Sequence, residues 1–268
     1  MTDIASEEVV LTERVGHTLV ITINRPQARN AVNAAVHLGL GDALEQADHD
    51  PEIRVVILTG AGDKAFCAGA DLVALSRGER LAPPDPVKAA WGFAGFVKHP
   101  ISKPVIAAVN GFALGGGTEL ALASDLVVAA DSAQFGLPEV KRGIMAAAGG
   151  AFRLAQQLPP KIAMEYLLTG EPFSVQKALE LGLVNRVVPY ADLMAEAHAL
   201  AEKIAVNAPL SVQASKRIAL QITSGTRPAE DVYWQLNTDE SMALMRSEDA
   251  REGPRAFAEK RPPVWKAR

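Results

Sequence analysis

Three short apolar runs constrain the fold of this chain more than any other feature of its sequence. They are RVVILTG (Arg54 to Gly60), KPVIAAVNG (Lys103 to Gly111) and DLVVAA (Asp125 to Ala130). The runs are rich in small and β-branched residues, and turn residues close them. Such runs are typical of strands that are buried on both faces, as in a parallel sheet covered by helices. Helical stretches alternate with the runs, a pattern that agrees with an α/β fold.

The segments before the first run predict two more strands and a helix. Residues 8–13 and 18–24 alternate between apolar and polar positions, with a turn at Gly16. Asn33 is placed to cap a helix that ends near Asp50. We therefore expect a hairpin followed by a capped helix at the start of the fold.

The last third of the chain has a different pattern. From Pro159 onward the periodicity predicts consecutive helices, at 161–169, 175–182, 190–206, 210–222 and 228–247. Such a region most simply forms a structural cap or an oligomerisation surface. One earlier stretch, Leu75 to Pro86, has little pattern and predicts a mobile surface loop.

Composition argues against several classes of protein. The formal net charge of −4 leaves no excess of Lys and Arg to neutralise nucleic-acid phosphates. The single cysteine, Cys67, excludes an intramolecular disulfide and favours a reducing compartment. The N-terminal MTDIASEEVV is acidic where a targeting peptide is basic, and the longest apolar run, Val105 to Val109, is too short to cross a bilayer. We therefore expect a cytoplasmic enzyme without nucleic-acid or membrane partners.

The first segment that indicates chemistry is KAFCAGADL, from Lys64 to Leu72. It follows a predicted buried strand and is rich in small residues, which allow main-chain N–H groups to approach a ligand. An N–H at such a bend could bind a carbonyl oxygen. A tight turn packed with small side chains is the alternative interpretation.

The second segment is NGFALGGGTELALASD, from Asn110 to Asp125. Three glycines precede a helix that is predicted to begin near Thr118, so unpaired N–H groups and the positive end of the helix dipole face outward. Neither nucleotide-binding fingerprint is present, and an enolate oxygen would suit this geometry as well as a phosphate would. Glu119 lies in the first helical turn, as a catalytic carboxylate or simply as a helix-capping one.

The third segment, SAQFGLPEVKRGIMAAAGGAFRL, contains Glu139 among largely apolar neighbours. A carboxylate in such surroundings resists ionisation, which is what a general acid requires near neutral pH. A surface ion pair with Lys141 or Arg142 is the alternative. If Glu119 and Glu139 share one apolar pocket, their pKa values should separate and provide one acid and one base.

Other catalytic signals are weak. The five histidines have no metal-like spacing, so we predict no metal site. No GxSxG motif occurs, and Cys67 has no convincing histidine partner in the sequence.

Taken together, AFCAGADL, NGFALGGGTELALASDL and AQFGLPEV resemble the crotonase (enoyl-CoA hydratase/isomerase) superfamily, in particular its two-glutamate hydratases. The resemblance extends from TLVITINRPQARNAV to DAREGPRAFAEKR, which is nearly the whole chain. It implies a spiral of ββα units at 1–205 and a C-terminal helical trimerisation region at 206–268. It also implies a homotrimer or a dimer of trimers.

The resemblance further implies which residues form the site. The backbone N–H groups of Ala70 and Gly116 would hold the thioester oxygen. The carboxylate of Glu119 would position and activate water, and Glu139 would exchange the proton at the α-carbon. Residues implied to bind coenzyme A or the acyl thioester are Lys64, Ala68, Ala70, Asp71, Leu72, Val73 and, from a neighbouring subunit, Lys260.

The chain also departs from the family pattern. Val73 stands where short-chain hydratases often have a lysine, which puts one contact to coenzyme A in doubt. RGIMAAAGG, beginning at Arg142, replaces the more usual GxIPGxGG, and this change could alter the floor of the acyl pocket. The loop from Leu75 to Pro86 also looks particular to this chain.

The expected function is a lyase reaction of fatty acid metabolism, the reversible syn-addition of water to a 2-enoyl-CoA. Coenzyme A would be part of the substrate, and no separate cofactor is needed. Two alternatives stay open within the family: Δ3,Δ2-enoyl-CoA isomerisation and dehydration of a substituted hydroxyacyl-CoA such as carnitinyl-CoA. A non-catalytic protein that binds a CoA ester or RNA is the alternative outside the enzymes.

Overall fold

The computed structural model describes residues 8–268 of the chain, in which ten strands and eleven α-helices form. The strands are β1 (Val10–Val15), β2 (Thr18–Ile23), β3 (Val55–Gly60), β4 (Ala65–Cys67), β5 (Val105–Val109), β6 (Phe112–Leu114), β7 (Leu126–Ala130), β8 (Gln134–Gly136), β9 (Phe173–Ser174) and β10 (Arg186–Val188). The helices are α1 (Ala34–His49), α2 (Leu72–Ser76), α3 (Pro86–Ala90), α4 (Gly116–Ala123), α5 (Gly150–Gln157), α6 (Pro160–Thr169), α7 (Val175–Glu180), α8 (Leu193–Ala205), α9 (Pro209–Ala219), α10 (Pro228–Leu244) and α11 (Glu248–Ala258).

The larger sheet has six strands in the order β1-β2-β3-β5-β7-β10. Strands β1 and β2 pair antiparallel, and all later pairs in this sheet are parallel. Ile57 of β3 lies opposite Val20 on one side and Ile106 on the other. All residues of β3 and β5 are buried, so the prediction of strands covered on both faces is confirmed.

Helices cover both faces of this sheet. Helix α1 buries Leu40 and Leu44 in the larger apolar cluster, which also contains alternate residues of β3 and β5. Helix α8 buries Ala197 and Ala201 against the opposite residues of the same strands, such as Ile57. The alternation of the two clusters along each strand is the period-2 geometry of a β-strand.

The N-terminal predictions are confirmed with small shifts in their boundaries. The β1–β2 hairpin turns at Gly16, whose φ of +59° is readily adopted by glycine. The Asn33 side chain accepts a hydrogen bond of 3.0 Å from the Val36 N–H, and therefore caps α1 as predicted.

A second sheet, in the order β4-β6-β8-β9, was not predicted from the sequence. Its strands contain only two or three residues each, too few for a periodic signal. Strands β4, β6 and β8 are parallel, so their carboxyl ends meet at one edge. The three segments that indicated chemistry pass through this edge.

The predicted helices of the last third are present with boundaries shifted by up to three residues, whereas α5 and α11 were not predicted. The proposed division at 205/206 stays a prediction, and residues 1–7 of its first part lie outside the described residues. Most of the acidic N-terminal segment that argued against a targeting peptide lies there too. Between residues 8 and 268, no helix combines the length and apolar character needed to cross a membrane.

Candidate active site

The ends of β6 and β8 are joined by a polar network that places the start of α4. The Gly115 N–H donates a hydrogen bond of 2.8 Å to the Gly136 carbonyl. The Thr118 hydroxyl donates to the Ala113 carbonyl at 2.6 Å, and its oxygen accepts from the Gly136 N–H at 2.9 Å. Because both strand ends are bound to this first turn, α4 begins at Gly116, two residues earlier than the sequence predicted.

The two segments that carry the predicted backbone donors are in contact where β4 and β6 end. Gly69 has a φ of +91°, and a methyl group at its Cα would lie 3.1 Å from the Gly116 nitrogen. Gly69 is followed by Ala70, so the segments that carry the two predicted donors are in contact. Within residues 8–268, neither the Ala70 N–H nor the Gly116 N–H has a hydrogen-bond acceptor. Unpaired N–H groups at one point are the arrangement that stabilises a developing oxyanion.

Glu119 lies in the first turn of α4, as predicted, and only 4% of its surface is exposed. The Gly150 N–H donates to its Oε1 at 2.8 Å. Burial raises the pKa of the Glu119 carboxyl, and the neighbouring Glu139 raises it further. The backbone N–H groups of Gly150 and Ala148 lower this pKa and so favour the ionised form.

Glu139 reaches the same place from the 3-10 helix Pro138–Arg142. A methyl group on Gly115 would lie 2.8 Å from Oε1 of Glu139, which places the Glu139 carboxylate directly against the turn before Gly116. The residue as a whole is half-buried, but its Oε2 is fully buried and has no hydrogen-bond donor among the described residues. This burial raises the pKa of the Glu139 carboxyl above its ordinary value.

The alternative ion pairs for Glu139 are not formed among the described residues. Lys141 pairs with Glu171, and the Arg142 guanidinium lies 4.2 Å from the centre of the Phe257 ring. The structure therefore brings Glu119 and Glu139 together as two buried carboxyls with raised pKa values. Such a pair can hold one proton near neutral pH and act as an acid and a base.

The other predicted binding residues lie on the β4–α2 segment, and most of them are exposed. The side chain of Lys64 is 78% exposed and is 3.2 Å from Asp63. Ala68 donates its N–H to a backbone carbonyl at 3.0 Å. Leu72 and Val73 are exposed on the first turn of α2, next to the Ala70 N–H.

Asp71 has a structural role that the sequence did not indicate. Its side chain caps α2 through the N–H groups of Val73 and Ala74, both at 3.1 Å. It also forms an ion pair of 2.9 Å with Arg25. Burial opposes these contacts, but together they lower the pKa of the Asp71 carboxyl. Asp71 therefore anchors the bend that presents Ala70.

Lys260 is not brought to this group of residues within the described chain. It lies exposed just beyond α11, and its side chain forms no hydrogen bond or ion pair with the other candidates. Its predicted contact was with a neighbouring subunit and stays a prediction.

Sequence reasoning missed the groups that surround the two carboxyls. The Gly150 N–H donates to Glu119, and the Ala148 N–H lowers the pKa of its carboxyl. The only sequence signal for these donors to Glu119 is the run of small residues in GIMAAAGG. From the sequence alone, that run indicates part of the acyl pocket instead. No grouping of His, Cys, Asp and Glu side chains suited to a metal ion occurs in the part of the chain that the structure describes.

Comparison with known proteins agrees with this geometry. A family model described as enoyl-CoA hydratase/isomerase matches residues 13–268. The chain is 46% identical over 267 residues to carnitinyl-CoA dehydratase from Escherichia coli K12. The alignment covers 98% of this chain and 100% of that protein.

Solved structures show the same relationship. The carnitinyl-CoA hydratase from Mycobacterium avium is 59% identical and superposes with a TM-score of 0.96, covering 98% of this chain and 100% of that one. An enoyl-CoA hydratase from Mycobacterium tuberculosis is 47% identical with a TM-score of 0.75, at 98% and 100% coverage. These matches confirm the predicted crotonase fold, and the chain belongs to the enoyl-CoA hydratase/isomerase family.

Proposed function

We propose that this protein catalyses the reversible addition of water to the α,β double bond of a 2-enoyl-CoA. The observation that supports this most directly is the pair of buried carboxyls, Glu119 and Glu139, beside two unpaired backbone N–H groups. Hydration of a thioester requires a base for the water, an acid for the α-carbon and stabilisation of the enolate oxygen. The site offers a group for each requirement.

Each group has a defined role in this proposal. The N–H groups of Ala70 and Gly116 hold the thioester oxygen and stabilise the enolate. The Glu119 carboxylate takes a proton from the attacking water, while Glu139 gives a proton to the α-carbon. In the reverse reaction, the two exchange roles. The coenzyme A portion lies along the exposed face of the β4–α2 segment, and no separate cofactor takes part.

Substitution of each glutamate tests the proposal. Glu119→Gln and Glu139→Gln should each lower the kcat for hydration by ~10²-fold or more, the scale of general acid–base catalysis. Glu202→Gln, an exposed change on α8, is the control and should leave kcat unchanged. Product binding should survive in all three variants. Near-normal turnover in either active-site variant would remove that residue from the mechanism.

Labelled water separates hydration from isomerisation. With a 2-enoyl-CoA in H₂¹⁸O, the enzyme should place ¹⁸O on the β-carbon, and it should convert a 3-enoyl-CoA only slowly. An isomerase needs a single group that moves a proton between the α- and γ-carbons, so two carboxyls favour hydration. Rapid isomerisation without ¹⁸O incorporation would contradict the assignment while leaving the oxyanion site in place.

A second candidate is dehydration of carnitinyl-CoA, and the names of the relatives favour it. The E. coli protein at 46% identity and the M. avium structure at 59% carry that substrate in their names. Dehydration of a 3-hydroxyacyl-CoA is the reverse of the proposed hydration and would use the same carboxyls. A comparison of kcat/KM for carnitinyl-CoA and for unsubstituted 3-hydroxybutyryl-CoA distinguishes the two. A ratio above ~10² in favour of carnitinyl-CoA would assign the narrower function, since that ratio corresponds to about 2.7 kcal/mol in the transition state.

The C-terminal helices supply a surface for the proposed homotrimer or dimer of trimers. Large apolar side chains are exposed along α9 and α10, among them Leu210, Ile218, Val232 and Leu236. Contiguous apolar surface of this kind marks protein–protein contacts. A cytoplasmic location stays the expectation from the single buried cysteine, Cys67.

A further inference from the structure

A buried arginine links the two halves of the candidate active site to the C-terminal helices. Only 3% of the Arg153 side chain is exposed. Arg153 lies on α5, one turn after Gly150, and its own N–H donates to the Gly149 carbonyl at 3.0 Å. Gly150 is the residue whose N–H binds Glu119. Arg153 and the donor to Glu119 therefore lie one turn apart on the same helix.

The guanidinium is held by Glu230 of α10. Its Nη2 donates to Glu230 Oε2 at 2.7 Å, and its Nε donates to Oε1 at 3.2 Å, which is the bidentate geometry of an arginine–carboxylate pair. The Trp234 indole N–H donates to the same Oε2 at 3.1 Å, and its ring lies against Gly149. Glu230 and Trp234 thus hold α10 in contact with α5 and Gly149, next to the donor to Glu119.

The same guanidinium reaches the oxyanion side of the site. Arg153 Nη2 also donates to the Val97 carbonyl at 2.8 Å. The Val97 N–H donates at 3.3 Å to the carbonyl of Phe93, whose ring packs against Gly116. Arg153 therefore connects helix α5, which carries the donor to Glu119, with the Phe93–Val97 segment, which packs against Gly116.

We propose that Arg153, held by Glu230, is a positioning residue. It fixes the position of the Glu119 carboxylate relative to the Gly116 N–H. This inference rests on the proposed function of the site. Arg153 touches no reacting atom; it acts through Gly150 on one side and through Phe93 on the other. Breaking the pair should lower kcat while leaving KM, which depends on the exposed coenzyme A segment, nearly unchanged.

Arg153 also acts on Glu119 through its charge. The charged or titratable groups around Glu119 are Glu139, which raises the pKa of Glu119, Arg153, which lowers it, and the Cys67 thiol. Burial raises the pKa of Cys67 to about 12, so the thiol is neutral. Loss of the guanidinium should therefore raise the pKa of Glu119, and the acidic limb of the kcat/KM profile should move to higher pH.

Three variants separate geometry from charge. Arg153→Met removes both, and should lower kcat by about 10-fold or more and move the acidic limb to higher pH. Arg153→Lys keeps the charge but loses the bidentate fork, and should lower kcat with little movement of the limb. Glu230→Gln leaves Arg153 in place without its carboxylate and should also lower kcat.

The matched control is Lys216→Met. Lys216 is another buried cation, 2.7 Å from Asp125, and it lines the same cavity of about 580 Å³ as Arg153. It is not among the groups that act on the pKa of Glu119. Its removal should cost comparable stability, because it too takes the buried cation away from a largely buried carboxylate. It should not move the acidic limb or lower kcat more than twofold.

Failure of this inference is distinct from failure of the proposed function. Infrared difference spectra against Glu119→Gln follow protonation of the Glu119 carboxyl without any substrate, and should show the same upward shift in Arg153→Met. If the wild type hydrates no enoyl-CoA, the proposed function fails, yet the infrared titration still tests Arg153. Folded Arg153→Met and Glu230→Gln variants with wild-type kcat and an unmoved Glu119 titration would overturn the inference. An equal shift in Lys216→Met would overturn it as well.

Discussion

A methyl group added at Gly150 should impair the site without removing any catalytic group. In Gly150→Ala, the new Cβ would lie 2.9 Å from both Cγ and Oε1 of Glu119, and 3.0 Å from the Ala146 Cβ. Ordinary carbon contacts are about 3.5–4.0 Å, so the Glu119 side chain must move by roughly 0.5–1 Å. The hydrogen bond from the Gly150 N–H, now 2.8 Å, lengthens with it.

The expected loss follows from this displacement. A misplacement of about 1 Å costs about 10²-fold in rate, so a movement of half that size should cost about 10-fold, or about 1.4 kcal/mol in the activation free energy. The KM should stay within a factor of about two, because the segment from Lys64 to Val73, which we propose binds coenzyme A, is untouched. Stability should fall only slightly, since overpacking of about 1–3 kcal/mol is offset by up to about 1 kcal/mol from replacing a helical glycine.

The assay is the disappearance of the enoyl thioester absorbance, measured over a range of substrate concentrations. Gly39→Ala provides the control. Gly39 lies in helix α1, away from the candidate site, and its new methyl group would lie 3.0 Å from Val10. Both variants should remain folded by circular dichroism, and only Gly150→Ala should lose turnover. A folded Gly150→Ala enzyme with the wild-type kcat would refute the dependence of catalysis on the position of Glu119.

Three further predictions concern pH, reactivity and assembly. Because burial raises the pKa of Glu119, ionising this carboxyl in the folded protein lowers the free energy of unfolding as pH rises above the ordinary carboxyl range. Glu119→Gln should therefore raise Tm more at pH 8 than at pH 5, and an equal effect at both pH values would contradict this. Cys67 is buried with its pKa raised to about 12, so iodoacetamide at pH 8 should label it only after unfolding, and rapid labelling of the folded protein would contradict that burial. Leu210→Glu with Ile218→Glu, at positions 76% and 80% exposed, should reduce the mass measured by light scattering, whereas an unchanged mass would exclude this surface from assembly.

Five of the six strands of the large sheet could be predicted from the sequence because they carry their own signal, whereas β10, with three residues, was missed. Runs such as Val55–Gly60 are apolar throughout and long enough to distinguish from turns. The second sheet could not be predicted, because strands such as Ala65–Cys67 have three residues and depend on their neighbours. Helix α11 was also missed; Pro254 interrupts its pattern, and Gly253 is needed where the helix presses on Arg142.

The candidate site divides in the same way. Glu119 and Glu139 could be selected because each carboxyl stands beside small or apolar residues in the sequence. Gly150 and Arg153 could not be selected, because their roles depend on contacts made across long stretches of chain. The bond from Gly150 to Glu119 spans 31 residues, and the pair of Arg153 with Glu230 spans 77. Such partners are set by the tertiary fold and leave no local pattern.

The proposed hydration requires Glu139 to hold the shared proton before water adds, and the surroundings of the two carboxyls bear on this in opposite ways. Backbone N–H groups of Gly150 and Ala148 favour the ionised form of Glu119, but burial and the neighbouring Glu139 act against them and raise its pKa to about 8. Burial raises the pKa of Glu139 to about 7 against a lowering by its own backbone N–H, and in the described chain no group donates to its Oε2. For the proposed reaction the proton has to rest on Glu139, so that Glu119 is free to accept a proton from water. By microscopic reversibility, dehydration would start from the opposite distribution, with Glu139 ionised to take the α-proton and Glu119 protonated to give a proton to the leaving hydroxyl. Under the proposed function, the same two carboxyls would therefore serve hydration and dehydration.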